Sequence, residues 1–301
     1  MLKMLKILLA LSFCLYFLKN YFLQTKLNNY IQPMGYIYNI PKIVFRGTKD
    51  LNVSKNREFY CHKKWIDLNP DFTFLWYTNQ DQETFIKRNF PPRILKAYNK
   101  LLPGAYKADL WRLCVLYYFG GVYIDEYASP HVPFKKIIKN TGFISVMDCP
   151  EAGSGIHNGF IIAEKNHPFL ACGIEEIVNN IENNYYGKGP LDPTGPMALK
   201  KAILKFLGNS NIKIGLNNGK YPFYLFHLKW GPYQTIYDGK NAIINKKYSI
   251  LDYIYQKIFA SNNYHKMWHN KNIYKKESTT KNKDESNNST FSKLQHNPRS
   301  V

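Results

Sequence analysis

At 301 residues the chain has room for one large domain with accessories, and 45% hydrophobic with 16% aromatic content excludes a chain disordered throughout. An excess of 41 Lys+Arg over 21 Asp+Glu gives a formal charge of +20, which favours anionic partners, although the wealth of Lys, Asn, Ile, Tyr and Phe fits an AT-rich coding sequence equally well. Neither zinc-finger spacing nor an RNA-binding signature is present, so nucleic acid is not expected as a partner.

The chain opens on an apolar stretch, Met4 to Leu23, "MLKILLALSFCLYFLKNYFL". As a helix it would measure about 30 Å, enough to cross a bilayer. Its uninterrupted apolar part, Ile7 to Leu18, would also suit a signal-peptide core, but bulky residues follow and no small-x-small cleavage site does. Residues 1–25 are therefore predicted to be an uncleaved signal anchor, single-pass, with the rest of the chain lumenal in an ER- or Golgi-like membrane. Lys3, Lys6 and Lys19 lie on both sides, so the orientation rule is weak here. Sequons at Asn52, Asn287 and Asn288 fit a lumenal domain. Residues 26–39 read as a polar stem.

"IPKIVFRG", Ile40 to Gly47, is apolar and introduced by Pro41, which predicts the first buried strand. Val53 to Leu68 has helical spacing and stops at "NPD", Asn69 to Asp71. "FTFLWY", Phe72 to Tyr77, is aromatic and β-prone, hence a strand. Two short helices flank "PPR", Pro91 to Arg93. From Gly104 to Phe119, Ala105, Ala108, Leu110, Leu113, Val115 and Leu116 recur at threes and fours, which predicts a helix with one buried face. Gly120-Gly121 ends it and "VYID" is the next strand. "GFISVMD" and "GIHNGFIIAE" read as two more strands, Phe169 to Asn183 and Met197 to Phe206 as helices. Helices and strands alternate, which argues for an α/β sheet. Residues 275–301 lack apolar periodicity and are predicted to be a disordered basic tail. The cysteines Cys14, Cys61, Cys114, Cys149 and Cys172 form no CxxC pair; buried free thiols are expected, with a Cys149–Cys172 bridge as the alternative.

Asp125 and Glu126 are adjacent acids at the end of an apolar strand. Ligands of open α/β sheets bind beyond the carboxyl ends of strands, and a carboxylate there has a common use: holding a divalent metal against a diphosphate. When a nucleotide diphosphate is the leaving group, a fixed cation contributes most in the transition state. Alone, an Asp at a strand end more often caps a turn. Upstream, Asp109 and Arg112 are spaced i,i+3 and project together from the helix, an arrangement able to hold sugar hydroxyls. On a surface the same pair is worth only a few tenths of a kcal/mol. His157, His167 and His227 lack metal-ligand spacing and read as core or solvated residues. Gly153 and Gly155 precede a strand rather than a helix, so they make no nucleotide fingerprint.

The run "PGAYKADLWRLCVLYYFGGVYID" resembles the DxD-containing sugar-transferase region of glycosyltransferase family 32, which includes yeast α-1,6-mannosyltransferases, inositol-phosphoceramide mannosyltransferases and capsule and viral enzymes; it is also similar to the glucosylating domains of clostridial toxins. "IPKIVFRG", "NPDFTFLWYT", "NGFIIAEKNHPFL", "DPTGPMAL" and "YHKMW" resemble further family motifs in the same order, over roughly Ile40 to Tyr274. The resemblance implies an α/β GT-A-like nucleotide-sugar-binding fold, a mixed central sheet flanked by helices, as a catalytic domain over 40–274 behind the N-terminal membrane helix. It implies a retaining hexosyltransferase that uses a UDP- or GDP-sugar, a glycan, glycolipid or glycoprotein acceptor, and a divalent metal, Mn2+ or else Mg2+. By position, Asp109 and Arg112 would bind the donor sugar and Tyr123 would pack near the nucleotide. Asp125 would be the first DxD acid, Asn158 would reach toward donor and acceptor, and Trp268 would close over the diphosphate.

The sequence departs from the family at the second acid, where Asp125-Glu126-Tyr127 stands for D-x-D. The metal ligands then expected are Asp125 with Glu126, if the backbone leaves β geometry after Asp125, or otherwise Asp125 with phosphates, water and a C-terminal residue such as Asn263 or His265. Asp125, Asp109 and Arg112 are expected to share one pyrophosphate-sized hollow. A sphingolipid head-group mannosyltransferase, and a non-catalytic nucleotide-sugar-binding module marked by Tyr127, are the alternatives.

Overall fold

The computed structural model describes residues 38–48, 57–126, 128–148, 155–209, 211–229, 234–246 and 263–276. The expected anchor, nearly all of the stem and tail, Cys14, Cys149 and Tyr127 lie outside these residues. Among the described residues no helix is long and apolar enough to cross a membrane.

Strand β1 (Ile43–Gly47) pairs in parallel with β2 (Thr73–Tyr77) on one side and with β3 (Gly121–Ile124) on the other. Helix α1 (Arg57–Leu68) makes the first crossover; α2 (Asn79–Asn89), α3 (Pro92–Lys100) and α4 (Gly104–Phe119) make the second. Thr78 and Asp81 open α2 with reciprocal caps, and proline stands at the first turn of α3, where its missing N–H costs no helical bond. Gly120 closes α4 at φ 71° and Gly121 follows at φ 103°. A Cβ on Gly121 would sit 2.5 Å from the Ile43 carbonyl oxygen, so the glycine pair lets the helix pass directly into a strand pressed against β1.

The remaining elements are β4 (Ala128–Pro130), α5 (Phe134–Ile137), β5 (Phe143–Met147), β6 (Ile156–Ala163), α6 (Pro168–Glu182), α7 (Pro196–Phe206), β7 (Gly215–Asn217), β8 (Phe223–Lys229), β9 (Gln234–Asp238), β10 (Asn241–Lys246) and α8 (Tyr264–His269). They complete a mixed ten-stranded sheet in the order β2-β1-β3-β6-β5-β8-β9-β10-β4, with β7 on β8. Strand β4 follows β3 after only residues 125–127, yet it stands at the far end of that order. A link of that length reaches at most about 14 Å. The sheet must therefore curl until its last strand returns to the carboxyl end of β3.

The two faces of the curled sheet bury separate cores. One side packs Phe45, Tyr123 and Ile161 against α3, α4, α6 and α7; the other packs Val44, Val122, Ile124 and Phe160 against Trp65, Phe134 and the returning strands. Helix α4 differs from the expectation of one buried face: every residue from Asp109 to Leu116 is buried. It lies between the sheet and α2, α3 and α6, so it has no solvent side over these turns. Cys114 and Cys172 carry free thiols, and Cys149 lies outside the described residues.

Candidate active site

The buried middle of α4 delivers two charged side chains to the end of β3. Asp109 and Arg112 are 8% and 6% exposed, which rules out the surface ion pair. Arg112 Nη2 lies 3.3 Å from Asp109 Oδ1, and Nη1 lies 3.5 Å from Asp125 Oδ1. Nη1 also donates to the Asn158 carbonyl at 2.7 Å, and the guanidinium stacks over the Tyr123 ring, 4.4 Å from its centroid. The Tyr123 hydroxyl donates to Asp125 Oδ1 at 3.1 Å. Asn158 Nδ2 donates to Asp109 Oδ1 at 2.9 Å, and Thr194 Oγ donates to Oδ2 at 2.7 Å. Five sequence-predicted residues, Asp109, Arg112, Tyr123, Asp125 and Asn158, are thus brought together.

Burial pushes the Asp109 carboxyl up to about 6, although Arg112, Thr194 and Asn158 oppose the shift. Burial pulls the Arg112 guanidinium down, but Tyr123, Asp125 and Asp109 outweigh it and leave the group above its ordinary value. Tyr123 is held well above the usual phenol range, first by burial and then by its bond to Asp125. Asp109 accepts two neutral hydrogen bonds and faces a cation, so its buried oxygens are satisfied.

A bulge in β6 supplies the third side of the site. The register against β5 shifts between Ile144 and Val146, and Ser145 Oγ donates to the carbonyls of His157 and Phe160 inside the irregular stretch. Bulges re-aim side chains, and this one turns Asn158 toward Asp109. The Asp125 N–H donates to the Gly159 carbonyl at 2.9 Å. A Cβ on Gly159 would fall 2.5 Å from Asp125 Oδ2 and 2.7 Å from His157 Nε2, so only glycine lets the acid and the imidazole approach here.

Asp125 is the outward member of the group, its side chain 24% exposed. It lines a small hollow with Ala128, His157, Gly159, Phe160, Leu228, Gln234, Ile236 and Ile244. Asp109 and Arg112 do not line it. The pair lies in the buried layer beneath Asp125, because α4 is enclosed at that turn.

Of the expected metal ligands, Asp125 and Glu126 are adjacent just beyond β3, and His265 stands on α8. The chain does leave β geometry after Ile124, and the Asp125 carbonyl accepts from the Ala128 N–H at 3.2 Å across the turn. Among the described residues, however, no group of three or more His, Cys, Asp and Glu side chains gathers into a metal-holding arrangement. His265 sits on α8 with its ring against Tyr264, where burial and then His269 lower its basicity. Asp125 already shares Oδ1 with a phenol and faces a guanidinium. The carboxylates of Asp125 and Glu126 are the hard oxygen donors a divalent ion takes, and they are the residues that would hold it, with His265 on α8 as the further expected ligand. Trp268, also on α8, donates its indole N–H to the Tyr186 carbonyl at 2.6 Å and carries Lys271 over its ring at 4.7 Å. It packs beside the segment that leads to Thr194 and is not joined to the Asp125 group.

Sequence reasoning missed three residues here. Thr194 lies in "DPTGP", which signalled a helix start and gave no hint of its partner. His157 was set aside for lack of ligand spacing, yet it stands next to Asn158. Arg46 had a legible signal: it is the one arginine in the apolar run "IPKIVFRG". It is 0% exposed, and its Nη2 donates to the carbonyls of Asp125 and Glu126, both at 2.8 Å.

Residues 55–144 match the family model described as glycosyltransferase sugar-binding region containing DXD motif, the class to which the motifs point. Among curated proteins the chain is 26% identical to mannosyl phosphorylinositol ceramide synthase CSH1 of Saccharomyces cerevisiae, over 49% of this chain and 37% of that protein. It is 27% identical to inositol phosphoceramide mannosyltransferase 3 of Schizosaccharomyces pombe, over 50% of this chain and 43% of that protein. The chain thus matches less than half the length of either relative. Among solved structures the PaToxG glycosyltransferase superposes with a TM-score of 0.46 at 17% identity, covering 61% of this chain and 76% of that one.

Proposed function

We propose that the chain is a nucleotide-sugar-dependent glycosyltransferase that moves a hexose from a UDP- or GDP-sugar to a glycan, glycolipid or protein-linked acceptor. The observation that carries this reading is the convergence of Asp109, Arg112, Tyr123, Asp125 and Asn158 at the carboxyl end of β3. Four of the five lie within the segment that matches the sugar-binding region. A GT-A arrangement over 40–274 is part of the reading; the parallel β2-β1-β3 unit ending in an acid supports it.

In this reading Asp125 faces the donor, while Tyr123 and Arg112 fix its carboxylate before the donor arrives. Asp109 and Arg112, locked by Thr194 and Asn158, form the floor beneath the transferring sugar. Fixed groups of this kind need no reorganisation as charge develops. Asp109 and Asp125 are both engaged by hydrogen-bond donors and by Arg112, which leaves neither poised as a covalent nucleophile. With configuration retained, as the family resemblance implies, that favours attack on the face from which the diphosphate departs. Trp268 is proposed to cover the diphosphate from α8. The apolar Met4–Leu23 stretch supports an anchored setting in the secretory pathway as part of the same proposal.

Mannosyl transfer to inositol phosphoceramide is the second reading. The likeness to the two yeast relatives favours it. The test is release of UDP or GDP from a panel of nucleotide sugars, with manganese, magnesium or a chelator, followed by GDP-mannose with inositol phosphoceramide. Turnover that Asp125→Asn abolishes is expected. Donor binding without turnover would instead mark a non-catalytic module, and absence of both would end the proposal.

A further inference from the structure

Arg46 is an unusual residue to find in the middle of a sheet. It stands in β1 with neighbours on both sides, fully buried, its guanidinium 5.0 Å from the centroid of the Trp76 ring. One nitrogen, Nη2, donates to two successive carbonyls, those of Asp125 and Glu126. Nε and Nη1 are buried without a hydrogen-bond partner among the described residues. Burying a charge with donors left over is costly, and an apolar residue would fill this part of the core at less expense. Stability of the sheet therefore does not account for the arginine.

The two carbonyls are those of the first residues after β3, where the chain turns from the sheet's interior toward β4. They are also the carbonyls of the acid pair. We infer that Arg46 is a positioning residue: it holds the backbone at Asp125–Glu126 so that the Asp125 carboxylate meets Tyr123 and Arg112. A charge-assisted bond to each carbonyl sets the path on one side of the turn, while the Gly159 carbonyl takes the Asp125 N–H on the other. Burial lowers the guanidinium to about 10, with Cys61, Glu126, Tyr123 and Asp125 acting against the shift, so the group stays charged at neutral pH. The consequence for turnover rests on the glycosyltransferase reading; the hold on the backbone does not.

The test uses the full chain with Arg46→Gln and Arg46→Lys. Hydrogen exchange is followed in peptides covering residues 121–130, with peptides from α6 as the internal reference. The amides of Asp125 and Ala128 donate to carbonyls at the turn and report on it directly. Arg46→Gln is expected to speed exchange there at least tenfold with α6 unchanged, and Arg46→Lys, which keeps a charged donor, to fall between. With an active donor, kcat/KM should drop at least tenfold in Arg46→Gln and recover in part in Arg46→Lys. Exchange that rises equally in α6, or two variants that behave alike, would overturn the inference and leave Arg46 as packing. If wild type turns over no donor, the glycosyltransferase reading falls and exchange alone decides for or against the hold. If Arg46→Gln does not fold, Arg46→Lys decides: faster exchange confined to 121–130 supports the inference, and unchanged exchange overturns it.

Discussion

The end of β3 and the helix α8 both carry residues that the family motifs marked, and the structure treats them differently. Asp109, Arg112, Tyr123, Asp125 and Asn158 are cross-linked by hydrogen bonds and ion pairs inside the protein. His265 and Trp268 lie on a helix of which no residue is fully buried, and Trp268 bonds to the Tyr186 carbonyl rather than to the acids. The first region is preorganised by the fold; the second is attached to it. Changes to the buried Asp109–Arg112 pair should therefore affect stability and turnover together, a change at the outward Asp125 should affect turnover alone, and changes in α8 should have small effects.

The largest expected effect is from Arg112→Met, which leaves Asp109 buried beside no cation. It should cost about 3–5 kcal/mol in urea unfolding, and the double variant Asp109→Asn/Arg112→Met should recover part of the loss. Full wild-type stability in Arg112→Met would show that the pair does not brace the site.

Asp125→Asn keeps the shape of the outward member and removes its charge. Nucleotide release should fall roughly 10²–10³-fold, the range for losing one preorganised electrostatic contact, while the melting temperature stays within a few degrees. A variant that retains a tenth of wild-type activity would remove Asp125 from the reacting centre.

Asp109 gives the comparison a pH signature. Its carboxyl titrates near 6 in the folded protein against 3.8 for an ordinary Asp, so the folded state holds the proton more tightly. The stability from that proton is fully present below pH about 4 and is lost as pH rises through about 6, by at most about 3 kcal/mol for a shift of this size. Unfolding measured from pH 3.5 to 7.5 should show this slope in wild type and lack it in Asp109→Asn.

Trp268→Phe should have the smallest effect. Loss of the bond to the Tyr186 carbonyl should cost about 1 kcal/mol, and the donor KM should rise less than tenfold with kcat nearly unchanged. A collapse of kcat would move Trp268 into the preorganised region and erase the contrast.

The legible part of this architecture is the part set by local periodicity. The strand "VYID", the helix before it and the i,i+3 spacing of Asp109 and Arg112 follow from patterns of two and of 3.6 residues. Together they placed two charges of α4 on one side and an acid at a strand end. The apolar recurrence of α4 could not reveal that its polar residues are buried as well, because that depends on α2, α3 and α6 packing over it. Nor could spacing show that a bulge in β6 would turn Asn158 to Asp109 and bring His157 beside Asp125, since the register shift is a relation between two strands. Thr194 meets Asp109 across 85 residues of sequence, a distance at which no local pattern operates. Arg46 could have been found by asking what an arginine is doing in an apolar strand.

The short link between β3 and β4 bears on how the acidic motif can vary. The same few residues that present Asp125 also fasten the two ends of the rolled sheet, so they are limited in number more than in kind. A one-residue insertion there would loosen the closure of the whole shell, whereas a swap of one side chain leaves the path intact.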